Sequence, residues 1–455
     1  MDSKTIIRSK SDILKFFHDA AARKKESLIG MEVERSGIYD ADLSPVQYSG
    51  TSGYLAILKK LVEEVGWKII KQDNNGNICA LQRGGSEVQI EDDGRLELVG
   101  KPRKGLFSLC REYQMHASEI DEISKEFGVC WISMGWQPFA KSKEITYAFP
   151  NKNKTHHNHF QKYFPDFRKN IYQAWEKKNN GIHVNFGYSS EEDAIYKFQT
   201  LLKISPILTS MFGNSPLNIR KFSGFLINRP HTTFVCCPNR TQIQKLFFEE
   251  NFNFEKWVNF LLDLPIRRIT RKGKTIFVPL IFRDFLKNGY KRYTPRFEDF
   301  YIHIGSTWGE MRIKHYLEYR GFDTVPPHLV PSIPAIIRAL TLNSDVMKEC
   351  QNLVKKWKFI DHLEMREEVY KHALQTETPG GKKMIALAKE LLEIASFSLK
   401  EQHREMKERI DASRFLWPIK EYIFVREQSP AEYVMEMWRG EWHQDPRKLL
   451  EWSNK

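Results

Sequence analysis

Apolar residues recur at helical spacing between Tyr54 and Gly66, where Leu55, Leu58, Leu61, Val62 and Val65 predict an amphipathic helix. Trp67–Ile70 then reads as a strand, Asn74–Asn77 as a turn and Ile78–Gln82 as the returning strand of a hairpin. Leu106–Gly128 predicts a second helix capped by Gly128, followed by a buried strand over Val129–Met134. Gly181–Tyr188 alternates again and places His183 and Asn185 on one face. From Pro327 onward the pattern is mostly helical, with Asp345–Gln375 and Lys382–Arg409 the longest pieces. Strands and helices mixed without βαβ regularity predict an α+β protein with an antiparallel sheet.

Four glutamates stand out against this pattern. Glu32 and Glu34 lie in Leu28–Glu34, where strand alternation puts both on one face and Met31 and Val33 on the other. Glu91 and Glu97 are an even number apart and share a face if the intervening Asp92-Asp93-Gly94 is a bulge that keeps parity. Taken singly, an E-x-E strand is most often a solvated face and an acidic turn is most often just a turn. Converging carboxylates repel unless something positive sits among them, and hard oxygen ligands suit Mg²⁺. Together the clusters suggest a Mg²⁺-nucleotide site on a sheet. There is no Walker A loop and no G-x-G-x-x-G, so nucleotide binding must use metal and side chains.

Composition narrows the class. The 455 residues contain no Pro/Gly/Ser-rich linker, repeat or low-complexity tract. This favours one catalytic domain over 1–455, with 330–455 a mainly helical C-terminal portion. The net charge of +13 would suit nucleic acid. Yet 57 acids stand against 70 bases, and the bases are spread rather than striped. Runs such as Arg267-Arg268 to Lys274 look like strand and turn surface. Anionic small molecules suffice to explain a positive site, so no nucleic-acid partner is expected. No apolar stretch approaches the roughly 18 residues of a membrane helix, and Met1–Lys25 lacks an apolar signal core. The six cysteines are scattered without C-x-x-C and read as reduced thiols. A cytoplasmic monomer or homodimer is the expectation.

A ladder of short motifs then gives a resemblance. Ile29-Gly30-Met31-Glu32-Val33-Glu34 resembles the I-G-x-E-x-E opening of plant-type glutamate–cysteine ligases, and Glu91–Gly100 resembles their E-P-G-G-Q-x-E-L-S-G. Met134–Pro138 resembles G-I-G-F-Q-P, and Val184-Asn185-Phe186 with Ser189-Ser190-Glu191 resembles V-N-L-D-F-S-S-E. Gly213–Pro216 resembles A-N-S-P, Gly224-Phe225-Leu226 resembles N-G-F-L, and Phe282–Phe285 resembles F-R-D-F. Arg229 with His231 is similar to R-S-H, and Asn239-Arg240-Thr241 to K-N-R-T. Arg312–Lys314 with Tyr316–Gly321 resembles R-L-K-x-Y-L-E-M-R-G, and Pro430–Glu432 and Gly440–Trp442 resemble the closing P-A-E and G-E-W. The ladder covers nearly the whole chain.

The resemblance implies a curved antiparallel β-sheet flanked by helices, similar to glutamine synthetase. It also implies ATP- and Mg²⁺-dependent joining of the side-chain carboxylate of L-glutamate to an amine, L-cysteine being the family's acceptor. On that basis Glu32, Glu34, Glu91 and Glu97 are expected to hold metal. Arg229 and Arg240 are expected to bind substrate carboxylate or phosphate through a guanidinium fork. Arg312 and Arg320 are second candidates, with a surface ion-pair reading if they lie on a helix beside Glu310 and Glu318. Asn185 would orient substrate or a metal-bound water. His231 matches the family motif and His183 does not, and structural histidine is the competing reading of both.

Three departures matter. Arg95 stands where the pattern has glutamine, beside the metal carboxylates, and either replaces a metal's charge or contacts phosphate. Thr232-Thr233-Phe234 replaces the family's tryptophan after the R-S-H histidine, which leaves the acceptor amine open and keeps a different amine as the alternative. His156, His157 and His159 occupy a segment read as an Asn/Lys-rich loop rather than a metal site.

Overall fold

Ile29–Tyr39 forms an eleven-residue strand, β1, on which the rest of the sheet is assembled, and its first half alternates Met31 and Val33 with Glu32 and Glu34. The computed structural model describes residues 2–23, 28–73, 75–91, 94–148, 150–163, 167–406 and 410–455, with the side chains of 150–156 and 405–406 left aside. Asn74, Asp92, Asp93, Arg409 and the His156 side chain, all part of the sequence reading, lie outside the described residues.

The strands that follow are β2 (Lys68–Gln72), β3 (Ile78–Arg83), β4 (Ser86–Ile90), β5 (Leu96–Val99), β6 (Val129–Ile132) and β7 (Gly181–Phe186). Two small hairpins come next, β8 (Leu217–Asn218) with β9 (Lys221–Phe222), and β10 (Ile269–Arg271) with β11 (Lys274–Ile276). Strands β12 (Met311–Ile313) and β13 (Leu317–Asp323) complete the set. Among the described residues nine strands form one sheet in the order β12-β13-β7-β1-β5-β4-β3-β2, with β6 on the far half of β1. Every pairing is antiparallel, so the expected α+β class with an antiparallel sheet is what folds.

The sheet has two unlike faces. Met31, Val33, Leu98, Ile182, Val184 and Tyr319 are buried on one of them. Helices Leu106–Glu126 and Ser332–Thr341 pack on the central strands, and helix Glu191–Phe212 packs on β12 and β13. A one-residue slip of β1 would drive Glu32 and Glu34 into this apolar layer, so burial fixes the register.

Several sequence expectations need correction. The long helix expected over Asp345–Gln375 is two helices, Ser344–Leu353 and Phe359–His372, and the last long helix runs Met384–Met406. Glu91 and Glu97 are joined by the β4–β5 hairpin rather than by a bulge, because the Glu91 N–H donates to the Arg95 carbonyl and the Gly94 N–H to that of Glu91. Gly94 makes this turn with φ of +92°, where a side chain would be strained. Arg312 and Arg320 are not on a helix: β12 and β13 carry them, and a register shift between Tyr319 and Phe322 disturbs the alternation. The segment holding His157 and His159 is a helix, Pro150–Tyr163, with both side chains buried.

Behind β13, Asp323 accepts hydrogen bonds from the Asn214 N–H (2.8 Å) and the Ser215 hydroxyl (2.6 Å). Its backbone neighbour across the gap is Gly135, where a methyl group would lie 2.3 Å from the Asp323 Cγ. Gly135→Ala is therefore expected to cost about 1–3 kcal/mol of stability through overpacking. The midpoint of urea unfolding reads that loss directly.

Candidate active site

Residues paired across an antiparallel sheet share a face, and the register sets the site out in rows. Arg312 on β12 pairs with Glu318 on β13, which pairs with Asn185 on β7. In the next row His183 pairs with Glu32. In the third, Glu34 pairs with Glu97, which pairs with Gln89 on β4. Of these residues Arg312, His183, Glu32, Glu34, Glu97 and Gln89 line a cleft of about 310 Å³, together with Glu91, Arg95, Arg267, Arg268 and Arg320. One wall is aromatic: Tyr172, Trp175 and Trp308 stand with ring centroids 5.4–5.8 Å apart.

The four predicted carboxylates thus meet in one place, but their environments differ sharply. Burial alone would raise Glu34. The guanidinium of Arg95, its Nε 3.3 Å away, outweighs that burial together with His183, Arg229 and Arg320, and holds the carboxyl below its ordinary value. The other Glu34 oxygen accepts from the Gly181 N–H at 2.6 Å. Glu32 is likewise buried, yet is held below its usual value by a hydrogen bond from His183 (3.1 Å) and by the positive charge of Lys314. The Asn185 amide donates to it at 2.7 Å. Glu97 goes the other way: burial and the charges of Glu32, Glu91 and Glu34 push it well above the usual carboxylate range.

A second, cation-rich half lies along β12 and β13. Arg312 grips Glu318 through two bonds of 3.0 and 2.6 Å, and its remaining nitrogen donates to the carbonyls of Gly305 and Thr307. Arg320 also pairs with Glu318, and Lys314 reaches it at 2.8 Å. Against complete burial these three cations hold the Glu318 carboxyl well below its ordinary value. His183 is pushed down by burial and by Arg320, so it is neutral at pH 7. Its Nε2 is buried without a hydrogen-bond partner, and so is the Asn185 Oδ1.

Unsatisfied acceptors beside repelling carboxylates are a donor set for a hard cation. Two triads bring ligand atoms within 4.8 Å of one another: Glu32, His183 and Glu318, and Glu34, Glu97 and His183. The oxygen-rich set fits Mg²⁺, and the repulsion at Glu97 is what a bound cation would relieve.

The remaining predicted residues fall elsewhere. Arg229 lies beneath the floor, donating to the Arg320 carbonyl at 3.3 Å and lying 4.0 Å from Asp323. Arg240 is fully buried and donates to the Ser306 carbonyl (2.9 Å), the Ser306 hydroxyl (2.7 Å) and the Pro265 carbonyl. Burial pulls its pKa down to about 10. His231 is stacked on Phe225 at 3.7 Å and is a packing residue. Arg267 and Arg268, read from the sequence as surface, line the cleft. Glu318, which the sequence offers only as an ion-pair neighbour of the arginines, belongs to the site, and the Leu317–Arg320 alternation of apolar and charged residues marks it on the Arg320 face.

Comparison with known proteins now decides the family. The model for glutamate-cysteine ligase family 2 matches residues 28–451. The chain belongs to that family. It is therefore an enzyme, a ligase of the glutamate–cysteine class. The chain is 29% identical over 441 residues to the chloroplastic glutamate–cysteine ligase of Medicago truncatula, covering 96% of this chain and 83% of that one. With the chloroplastic glutamate–cysteine ligase of Arabidopsis thaliana it is 27% identical over 447 residues, 97% and 82% of the two chains. The structure of the Francisella tularensis glutamate–cysteine ligase, solved in complex with AMP, superposes with a TM-score of 0.53 at 13% identity, over 94% of this chain and 87% of that one. That likeness establishes the ligase fold. The cytoplasmic location expected from the thiols and the N-terminus is overturned, because these plant relatives are chloroplastic enzymes.

A carboxyl raised in the folded state binds its proton more tightly than in the unfolded chain, so its contribution to stability is lost as pH rises through its folded value. In protein stripped of metal with EDTA, stability is therefore expected to fall as pH climbs above the ordinary carboxyl range of about 4. Glu97→Gln, which cannot ionise, should flatten that slope and melt at an equal or higher temperature at pH 7. Thermal unfolding at several pH values checks both.

Proposed function

We propose that the protein joins the side-chain carboxylate of L-glutamate to the amine of L-cysteine, using ATP, with a γ-glutamyl phosphate as intermediate. The observation that carries this reading is the convergence of Glu32, Glu34, Glu91 and Glu97 with Arg320, Arg267 and Arg268 on one cleft. A carboxylate is unreactive toward amines until its oxygen is made a leaving group, and phosphorylation does this. Carboxylates to hold Mg²⁺ and arginines to meet phosphate are the parts such a transfer needs.

Glu32, Glu91 and Glu97 are the carboxylates suited to hold Mg²⁺, with Glu34 beside them on the same face. When bound, Mg²⁺ would neutralise the triphosphate and the charge that develops on its oxygens. Asn185 holds Glu32 in place through its amide, while its Oδ1 is buried without a hydrogen-bond partner. Arg320, fixed by Glu318, presents a guanidinium into the cleft, where it would stabilise the transferring phosphoryl group. Arg312 acts one step back, holding Glu318 and therefore Arg320. Tyr172, Trp175 and Trp308 would shield the acyl phosphate from water.

A different acceptor amine is the second reading, and Thr233 motivates it. Where the resembled pattern has tryptophan, the Thr233 hydroxyl accepts a hydrogen bond from the Trp175 indole at 2.7 Å, so the aromatic wall is built differently here.

ADP release with Mg²⁺-ATP and L-glutamate, with and without L-cysteine, tests the proposal. Cysteine-dependent release, with γ-glutamylcysteine in the product mass spectrum, is expected. Release stimulated only by another amine would establish the second reading, and no release with any amine would refute both. Glu97→Gln and Arg320→Gln are each expected to lower kcat by about 100-fold or more, the cost of removing one preorganised electrostatic contact.

A further inference from the structure

Arg95 is held at both ends. The β4–β5 turn at Gly94 fixes its backbone, through the hydrogen bond between the Glu91 N–H and the Arg95 carbonyl. At the far end its Nη1 donates to the Glu176 carbonyl at 2.7 Å, in the last turn of helix Lys169–Lys178. Between these anchors its Nε stands 3.3 Å from Glu34, and the side chain is only 11% exposed. The cation is thus fixed in the floor of the cleft by the fold itself.

Glu34 is correspondingly used up. One oxygen faces Arg95 and the other accepts from the Gly181 N–H. Glu318 is in the same position, with Arg312, Lys314 and Arg320 all upon it. Of the carboxylates that line the floor, Glu32, Glu91 and Glu97 face no arginine or lysine at salt-bridge distance among the described residues. The motif that this segment resembles has a neutral glutamine at the Arg95 position, so a whole positive charge has been added next to Glu34.

We propose that Arg95 is a built-in cation that takes the place of a divalent ion at Glu34, so that this chain binds one metal ion fewer than the same site with a neutral residue there. The proposal rests on the metal–nucleotide reading given above. A guanidinium supplies charge and directional hydrogen bonds but no vacant coordination position. Metal is then confined to the Glu32, Glu91 and Glu97 side of the floor. The half next to helix Lys169–Lys178 has a charge that neither chelators nor low metal concentration can remove.

Counting bound ions tests this without recourse to turnover. Mn²⁺ is titrated into the full-length protein saturated with a non-hydrolysable ATP analogue, and free Mn²⁺ is followed by its paramagnetic resonance signal. Arg95→Gln is expected to bind one Mn²⁺ more per chain than wild type, and Arg95→Lys the wild-type number. Glu34→Gln in the wild-type background is expected to leave the count unchanged, which tests the same point should Arg95→Gln fail to fold. An equal count in wild type and Arg95→Gln, or loss of an ion in Glu34→Gln, overturns the proposal. An equal count with weakened binding of the analogue in Arg95→Gln would instead make the arginine a phosphate contact. Wild type that binds no Mn²⁺ with the analogue present would refute the metal–nucleotide reading itself, and this inference with it.

Discussion

Glu34 and Glu97 face each other across β1 and β5, and two carboxylates in that position cannot both stay charged unless cations are brought to them. Much of the site's construction follows from that constraint. The β4–β5 turn brings Arg95 to one side of Glu34, and β7 brings the Gly181 N–H to the other. Strand β13 supplies Arg320 and β12 supplies Arg312, each tied to Glu318. The opposite face of the sheet is apolar, so the strands cannot slide to relieve the repulsion. The carboxylates are held together by a hydrophobic core that they oppose electrostatically. A protein tolerates such an arrangement when the strain is discharged by a ligand.

The charges are not spread evenly over the floor. At the β12–β13 edge Glu318 is overcompensated and stays ionised in complete burial. In the middle, Glu32 is steadied by His183 and Asn185, both neutral. Toward β5, Glu97 lacks enough positive charge and is pushed up. The gradient runs from cation-rich to cation-hungry across a few strand spacings. A phosphate chain with its counter-ions has the complementary polarity, its oxygens suited to the arginine edge and its metal to the acidic one.

Much of this was legible in the sequence where period-two alternation carries the information. Glu32 and Glu34, His183 and Asn185 were placed correctly on shared faces because no irregularity interrupts β1 or β7. Glu91 and Glu97 keep their shared face through the hairpin, because Gln89 pairs with Glu97 and Glu91 lies two residues further along the same strand face. Arg312 and Arg320 were candidates with a helical surface pair as the competing reading, because β12 is only three residues long and the register shift between Tyr319 and Phe322 ends the alternation of β13 after Arg320. Arg267 and Arg268 look like surface because the hairpin that follows them is polar. Only the tertiary structure, which sets the Arg267 guanidinium over the Trp308 ring, turns them into the cleft.

Motif residues outside the cleft explain why resemblance finds more arginines than chemistry uses. Arg240 does not line the cleft but stands behind its aromatic wall: its guanidinium lies 6.0 Å from the centre of the Trp308 ring and holds the Ser306 carbonyl and hydroxyl, while its own carbonyl accepts from the Trp308 N–H at 2.8 Å. That clamps the Gly305–Trp308 turn. The same turn offers the Gly305 and Thr307 carbonyls to Arg312, which orients the fork that grips Glu318. Glu318 in turn holds Arg320 at the edge of the cleft. A buried arginine bonded to backbone carbonyls is thus three contacts removed from the reacting groups and still sets where a cleft arginine points. Replacing it with lysine would keep the charge and lose the fork that spans Ser306 and Pro265 together. The pattern around Arg240 is therefore a constraint on geometry, and the chemistry inherits it through the turn.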